Sequence, residues 1–276
     1  GAAGYIGSYL VPHLQGLGYR VIAGARRPCR LPEGVEFRLA DSLKPITLLP
    51  ALAGVDTVFY LVHAMGAGAG FHRLEQQGVK NFAAAARAAG VRRIIYLGAI
   101  QPIPCNSRHL NSRRHCGELF RDAGVPTVEL RAGIIIGPGS AAFEVMRDLV
   151  FNLPMMVTPK WVRSRTPPIA LSTVLHYLGG LLEADGVDGR IFNAAGPELL
   201  SYQQQQICCG FVSRRSIYKH QPIAVCSEQT DCIDGCRIQT KLVFMPTIIK
   251  IAEVDADLMP SRQLQSQRLN SRLCQH

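Results

Sequence analysis

The sequence lacks any apolar run long enough to cross a bilayer, and it lacks a paired Cys-x-x-Cys motif. Its nine cysteines are an odd number, and no histidine lies at zinc-finger spacing from them, which disfavours a structural zinc site and a complete disulfide framework. Aromatic residues make up only 7% of the chain, so an alanine- and valine-rich α/β protein is favoured over an aromatic-rich sandwich. We predict no metal site, free thiols and a cytoplasmic location.

The chain also lacks a block of like charge, although its net charge is +10. The arginines are spread along the chain, in part as the pairs Arg26-Arg27, Arg92-Arg93 and Arg113-Arg114. A basic surface can meet nucleic acid, anionic lipid or a phosphate-rich cofactor. Because no aromatic-studded basic motif of a nucleic-acid module is present, we expect a solvated basic surface and no nucleic-acid partner.

Along residues 19–136, segments with the apolar pattern of β-strands alternate with segments that have the apolar periodicity of α-helices. Continuous apolar runs such as residues 56–62 and 93–97 are typical of strands that are buried on both faces. Between them, residues 71–89 carry apolar side chains three and four residues apart and are followed by Gly90, which predicts an amphipathic helix. Strands that alternate with helices at this spacing predict an α/β fold with a doubly wound parallel sheet of the Rossmann type.

Composition and periodicity divide the chain into three parts. Residues 1–139 hold the strand and helix alternation, and residues 140–202 hold two further helices and a late strand, enough for a small C-terminal substrate or lid subdomain. From Gln203 onward a glutamine run begins, and helical periodicity is poor. Residues 203–276 are therefore either foreign to the fold, as a shifted reading frame would make them, or a divergent subdomain, and both interpretations stay open.

The sequence starts with a Gly-x-x-Gly-x-x-Gly loop formed by Gly1, Gly4 and Gly7, which also contains Tyr5 and Ile6. The first glycine permits a tight turn, the second lets the backbone approach a diphosphate, and the third allows the next helix to pack closely on a sheet. The N–H groups at the start of that helix then hold the anion. A glycine triplet alone is a weak signal, but the alternation that follows it predicts a dinucleotide site. The central strand that should precede Gly1 is not in the sequence, so we expect a segment of about 5–6 residues to be missing.

The end of the next strand indicates which dinucleotide fits. A site that prefers NAD carries an acid there, about 20 residues beyond the glycines, and an acid would repel a 2′-phosphate. This chain has Arg26 and Arg27 instead, and a guanidinium can pair with that phosphate through two hydrogen bonds. We therefore predict NADP rather than NAD, with Arg26 as the first choice; the alternative is a solvated pair of surface arginines. Asp41, after the second strand, suits either a contact near the adenine or only a turn.

Several motifs resemble the extended or atypical short-chain dehydrogenase/reductase superfamily. They are the glycine loop, residues 40–41 (Ala-Asp), residues 54–63 (Gly-Val-Asp-Thr-Val-Phe-Tyr-Leu-Val-His), residues 90–97 (Gly-Val-Arg-Arg-Ile-Ile-Tyr-Leu), residues 130–138 (Leu-Arg-Ala-Gly-Ile-Ile-Ile-Gly-Pro) and residues 192–197 (Phe-Asn-Ala-Ala-Gly-Pro). Residues 60–65 and 159–163 are similar to NmrA-like bacterial NAD(P)H-binding proteins. The resemblance covers residues 1–202 and implies cofactor contacts from Leu61 and from His63, at the carboxyl edge of the sheet.

The resemblance also implies a serine after a central strand and a Tyr-x-x-x-Lys pair on the following helix, with the tyrosine as the general acid. Here residues 98–100 (Gly-Ala-Ile) follow that strand without a hydroxyl. Glu118 matches an acid four residues after the family's lysine, and this register places Leu110 at the tyrosine and Arg114 at the lysine. A leucine transfers no proton, so no catalytic residue is assigned, whereas Arg114 suits a contact with the ribose or a phosphate of the cofactor. Substitute acids nearby are His109, His115 and Ser112.

Two functions follow from these predictions. The first is an NAD(P)H-binding oxidoreductase-like protein of the atypical short-chain type, whose partners are the dinucleotide and an unidentified small molecule. The second is a non-catalytic NADP(H)-binding redox sensor or an assembly or regulatory protein, which the missing serine and tyrosine favour. Turnover of the bound nucleotide distinguishes the two.

Overall fold

A computed structural model of the chain describes residues 1–63, 70–102, 105, 107–152, 164–202, 204–205 and 251–253. The strands are, in chain order, β1 (Ile22–Ala25), β2 (Glu36–Leu39), β3 (Thr57–Tyr60), β4 (Arg93–Ala99), β5 (Thr127–Ala132), β6 (Ile135–Ile136), β7 (Arg165–Thr166), β8 (Ile169–Ala170), β9 (Ile191–Ala194), β10 (Leu200–Ser201) and β11 (Ile251–Glu253). The helices are α1 (Tyr5–Gly16), α2 (Leu48–Leu52), α3 (Phe71–Ala88), α4 (Arg108–Arg121), α5 (Ala141–Asn152) and α6 (Leu171–Gly180). The motif at residues 159–163, and all of the predicted tail except 204–205 and 251–253, lie outside the described residues.

The chain divides into two compact units. The first comprises Gly1–Ala132, Leu175–Ala194 and Ile251–His276, and the second comprises Gly133–Val174 and Ala195–Lys250. The polypeptide therefore leaves the first unit after β5 and returns to it within α6. The three-part division after residues 139 and 202 stays a prediction.

The first unit contains a five-stranded sheet in the order β11-β9-β5-β4-β3. Its four strands β3, β4, β5 and β9 are parallel, and β11 pairs with β9 in the antiparallel direction. Strands β1 and β2 form a separate parallel pair. Parallel neighbours joined through helices confirm the predicted Rossmann-type α/β fold.

The core of the first unit surrounds β4, whose residues from Ile94 to Leu97 are at most 3% exposed. A strand covered on both faces has no polar side to show, which explains the continuous apolar run in the sequence. Helices α3 and α4 cover one face, where the ring of Tyr60 lies 4.9 Å from that of Phe82 and 4.8 Å from that of Phe120. The helix predicted for residues 71–89 is observed, and it ends before Gly90, whose φ of 71° suits a left-handed helix stop.

Arg93, at the start of β4, ties the returning segment of the chain to the sheet. Its side chain donates to the carbonyl oxygens of Leu181 and Ala184 at 2.9 and 3.0 Å, and it pairs with Asp188 at 2.7 Å. The arginine is only 4% exposed, so these partners provide the hydrogen bonds that its burial requires. Residues 181–188 are thereby fixed against the amino end of the central strand.

In the second unit, β6 pairs with β8 in the parallel direction and β7 pairs with β10 in the antiparallel direction. Two glycines allow close backbone packing there. A Cβ atom on Gly133 would collide with the carbonyl group of Pro167, and one on Gly196 would collide with the carbonyl group of Pro168. The backbone at Gly133 and Gly196 therefore packs directly on the backbone of Pro167 and Pro168, with no side chain between them.

An apolar cavity of about 660 Å³ lies in the first unit between the β1 pair and the β3 edge of the sheet. Within the described ranges, β1 pairs only with β2, and β3 pairs only with β4, so each strand has one edge without a neighbour. The cavity is lined by both strands and by apolar side chains of three helices, including Leu10, Leu14, Leu48, Leu52 and Phe82. The cavity is thus bordered by two strand edges that have no neighbour within the described ranges, and the strand expected before Gly1 stays a prediction.

A buried ion cluster links β5 to α4. Glu129 is 1% exposed and accepts from Arg121 at 2.5 Å and from Arg131 at 2.8 Å. Space for the carboxylate comes from two glycines, since a Cβ atom on Gly98 or Gly117 would lie 2.7 or 2.5 Å from a Glu129 carboxylate oxygen. The carboxylate is therefore enclosed by the backbone of β4 and α4 and neutralised by two guanidinium groups.

We expect Glu129→Ala to lower the free energy of unfolding by about 3–5 kcal/mol, because it leaves two largely buried guanidinium groups without their counter-charge. Urea denaturation monitored by circular dichroism measures this change. Glu118→Ala is the matched control, since Glu118 is an exposed partner of Arg114 and its loss should cost about 0.5 kcal/mol or less. Equal effects of the two substitutions would contradict a stabilising role for the buried cluster.

Candidate functional site

The glycine loop forms the turn into α1. Gly4 is the N-cap residue of this helix, no side chain caps the helix start, and its first turn contains no acidic residue. The N–H groups at a helix start that lack a capping side chain carry partial positive charge, and they bind an anion readily. This end of α1 can therefore hold a phosphate.

Close packing fixes the shape of the loop. A Cβ atom on Gly7 would lie 2.7 Å from Cα of Ala2 and would also collide with the carbonyl oxygen of Gly1. A Cβ atom on Gly1 would lie 2.7 Å from Cβ of Leu61, which directly follows β3. The loop consequently lies against the carboxyl end of β3, the edge at which ligands bind in open α/β sheets.

Arg26 follows β1 and lies near the loop. The amino group of Gly1 donates to the carbonyl oxygen of Gly24 at 3.0 Å. The N–H of Ala2 donates to the same oxygen at 3.2 Å, so the loop lies against the end of β1, two residues before Arg26. Arg26 and Arg27 are both exposed, so their guanidinium groups are accessible to a ligand that extends from the loop.

Asp41 follows β2 and has a structural partner. Its carboxylate accepts from the N–H of Leu43 at 3.0 Å, and its own N–H donates to the hydroxyl of Thr47. These bonds form the turn that leads into α2. The predicted contact of Asp41 with the adenine stays a prediction.

His63 and Arg113 meet at the carboxyl ends of β3 and β4. Arg113 donates to Nε2 of His63 and, at 3.4 Å, to the carbonyl oxygen of Leu97. Burial lowers the pKa of His63 to about 3, and the electrostatic interactions with Arg113, His109 and the Gly1 amino group act in the same direction. His63 is therefore neutral at physiological pH and accepts a hydrogen bond there.

Arg114, the residue predicted to contact the cofactor, faces outward in this structure. Its side chain is 52% exposed and lies 3.6 Å from Glu118 on the surface of α4. Arg113, which the sequence analysis did not select, is the arginine of this pair that reaches the sheet. The spacing Ser112, Cys116 and Phe120, all buried on α4, could have indicated which face of the helix turns inward.

The remaining predicted substitutes for the missing tyrosine differ in their surroundings. The hydroxyl of Ser112 donates to a carboxylate oxygen of buried Glu75 at 2.5 Å. His115 is exposed and lies 3.1 Å from Glu118. His109 is half-buried, and its ring centroid lies 6.0 Å from that of Phe71 at the start of α3.

Two further features of the described part of the chain concern metal ions and membranes. No group of three or more histidine, cysteine, aspartate or glutamate side chains is arranged to hold a metal ion there. No helix in it is both long and apolar enough to cross a membrane.

The fold and the glycine loop define a Rossmann-type nucleotide-binding protein, and comparisons with known proteins name its cofactor class. Residues 1–115 match a family described as NAD(P)H-binding. The ceramide reductase of Caulobacter vibrioides is 28% identical over 177 residues, which are 62% of this chain and 55% of that protein. The chain thus spans little more than half the length of this curated relative.

Solved structures of nucleotide-sugar enzymes have the same fold. MoeE5 in complex with UDP-glucuronic acid and NAD is 19% identical over 77% of this chain and 80% of its own, with a TM-score of 0.65. UDP-glucose 4-epimerase of Thermotoga maritima is 15% identical, with 81% and 83% covered and a TM-score of 0.65. The dTDP-glucose 4,6-dehydratase DesIV of Streptomyces venezuelae, with NAD bound, is 17% identical, with 76% and 78% covered and a TM-score of 0.65. These likenesses concern the fold.

Residues 1–115 thus match an NAD(P)H-binding family, and the solved structures share the fold, which agrees with the predicted resemblance to the extended short-chain dehydrogenases/reductases. A nicotinamide dinucleotide is therefore its cofactor class. The glycine loop, with Gly1, Gly4 and Gly7, fits the diphosphate of such a cofactor because the loop is tight and the helix start lacks a capping side chain.

Proposed function

We propose that the protein binds NADP(H) in preference to NAD(H) and uses it to reduce a small carbonyl compound, as an oxidoreductase of the atypical, NmrA-like type. The single observation that carries the choice of cofactor is the pair Arg26 and Arg27, exposed after β1 beside the glycine loop. An acid at this position would select the ribose hydroxyl of NAD, whereas a guanidinium pairs with the 2′-phosphate of NADP.

Two further observations support the proposal. The relative from Caulobacter vibrioides is named a reductase, which favours turnover of the nucleotide over binding alone. The cysteines at positions 29, 105 and 116 are free thiols, as suits the reducing cytoplasm, the compartment that we propose. The dinucleotide and a small carbonyl compound are the proposed partners, whereas nucleic acid is not among them.

We expect Arg26→Ala to weaken NADPH binding about 10- to 100-fold and to leave NADH binding within about threefold, because a hydrogen bond to a charged group contributes about 1.5–3 kcal/mol. Titration monitored by NADPH and NADH fluorescence measures both affinities. Arg20→Ala is the matched control, since this arginine is 83% exposed and pairs with Glu36 away from the loop.

A double substitution tests whether Arg27 can replace Arg26 as the partner of the 2′-phosphate. Arg26→Ala combined with Arg27→Ala should remove the preference for NADPH altogether. If the double variant still binds NADPH more tightly than NADH by the original ratio, the proposed basis of cofactor choice is wrong.

A second candidate function is a sensor that binds NADP(H) without turning it over. The absence of a hydroxyl at residues 98–100, together with Leu110 in place of a phenol in the predicted register, favours this alternative. Incubation of the NADPH complex with aldehydes, ketones and quinones separates the two functions. Oxidation of NADPH supports the reductase, and stable binding without oxidation supports the sensor.

A further inference from the structure

The inward face of α4 carries its chemically useful side chains to the carboxyl edge of the sheet. The hydroxyl of Ser107 caps the helix by accepting from the N–H of Leu110, and Gln101 donates to the Leu110 carbonyl oxygen at 2.6 Å. These bonds fix the first turn of the helix. His109 and Arg113, four residues apart, consequently lie on one face of this turn.

Three other groups on or beside α4 are already committed to different partners. The phenol of Tyr96 donates to the carbonyl oxygen of Arg113 at 3.1 Å, and burial raises the pKa of this tyrosine. Ser112 donates to Glu75, and His115 lies on the surface beside Glu118. These three groups are therefore poor proton donors for a ligand at the edge of the sheet.

His63 is excluded as a proton donor for a different reason. Its Nε2 atom already accepts from Arg113, and its pKa of about 3 leaves it without a second proton at neutral pH. Through its bond to Arg113, His63 nevertheless links this face of α4 to the carboxyl end of β3, where Gly1 packs against Leu61. His109, one turn before Arg113 on the same helix face, is therefore placed toward this end of the sheet.

His109 has no hydrogen-bond partner within the ranges that the structure describes, and it is half-buried against Phe71. The charged or titratable groups that face it are Arg113 on α4, Glu75 on α3 and His63 after β3. Burial, and after it the charge of Arg113, lower the pKa of His109. A protonated imidazole in these surroundings gives up its proton more readily than one in water.

We propose that His109 is the catalytic residue that gives a proton to the carbonyl oxygen of the substrate, and that Arg113 is its positioning residue. This inference rests on the proposed function. A reduced nicotinamide dinucleotide held by the glycine loop would supply a hydride, with its electron pair, to the carbonyl carbon, and the π electrons of the C=O bond would move to the oxygen. The oxygen takes the proton from His109, so that an alcohol and the oxidised dinucleotide form, and water reprotonates the half-buried imidazole.

The experiment uses the full chain with NADPH and two probe carbonyls, 4-nitrobenzaldehyde and acetophenone. His109→Gln should lower kcat for the better probe by about 100-fold or more, as expected when a general acid is lost. The fluorescence affinity for NADPH should stay within about threefold. His115→Gln, on the same helix but exposed beside Glu118, is the matched control and should keep the original kcat.

A pH profile tests the role of Arg113. The rate should fall as pH rises above the pKa of His109, because the protonated donor disappears. Arg113→Gln removes a positive neighbour, so the pKa of His109 should rise and the descending limb should move to higher pH; Arg113→Lys should keep it near its original position.

The outcomes separate the two proposals. If NADPH does not bind, the proposed function fails, and the role of His109 fails with it. If NADPH binds but the original chain reduces neither probe, or if His109→Gln keeps the original kcat, the assignment of His109 is overturned while the binding function stands. A fall in kcat confined to His109→Gln, with unchanged NADPH affinity, supports the assignment.

Discussion

An apolar segment of five or six residues fused ahead of Gly1 is expected to stabilise the first unit by about 5 kcal/mol. The cavity between β1 and β3 offers two strand edges without neighbours and a lining of apolar side chains. Each buried valine or isoleucine contributes about 1.5–3 kcal/mol, and ordering each residue costs about 1.5 kcal/mol. Ladder hydrogen bonds to both neighbouring strands add to the net gain.

Urea denaturation of the extended chain, monitored by circular dichroism, measures this stabilisation. A glycine- and serine-rich segment of the same length is the control, since it can reach the cavity but has almost no apolar surface to bury. If the valine- and isoleucine-rich extension is no more stabilising than this control, the cavity does not accept a strand.

The second large effect is expected at Gly7. Gly7→Ala should weaken NADPH binding by at least about 100-fold, equivalent to about 2.7 kcal/mol. The new methyl group would lie 2.7 Å from Cα of Ala2 and would collide with the carbonyl oxygen of Gly1. Both obstacles are backbone atoms, so the loop itself must open, and the N–H groups that would hold the diphosphate move apart.

Fluorescence titration with NADPH measures the affinity of the Gly7 variant, and its thermal midpoint reports the accompanying strain. Gly16→Ala is the control because a Cβ atom at this position, at the end of the same helix, meets nothing within 4 Å. It should bind NADPH normally and be slightly more stable, since alanine favours helix more than glycine does. Normal NADPH affinity in Gly7→Ala would mean that the diphosphate does not bind at this loop.

The sheet could be predicted from the sequence because its signals are local. Residues 94–97 form a continuous apolar run, and the structure buries it on both faces of β4. Gly90 follows a strongly periodic segment, and α3 ends just before it. Each of these features depends on residues that are neighbours in the sequence, so tertiary contacts had little to alter.

The side-chain arrangement of α4 is harder to predict because one acid alone indicates its register. Glu118 matches a motif, yet the structure has this residue on the surface beside Arg114. The inward face of a helix is decided by what it packs on, and the buried Cys116 and Phe120 set it here. Arg113 and His109 therefore reach the edge of the sheet.

Two other features could not be derived from local patterns. The partners of Glu129 come from α4 and β5, and they meet only when the helix packs on the sheet. The cavity between β1 and β3 depends on which strands become neighbours, and a single sequence does not specify that. In the sequence, the position of Glu129 within an otherwise apolar strand is the feature that indicates a nearby counter-charge.

Arg93 anchors residues 181–188 to the sheet, and this anchoring determines which part of the chain can change in length. Since the returning segment is anchored through the sheet rather than through the preceding polypeptide, the 42 residues of Gly133–Val174 amount to an insertion between two parts of one scaffold. Their length and loops can diversify without shifting the spacing of the parallel strands. The nucleotide-binding scaffold can thus remain constant while the inserted module evolves independently.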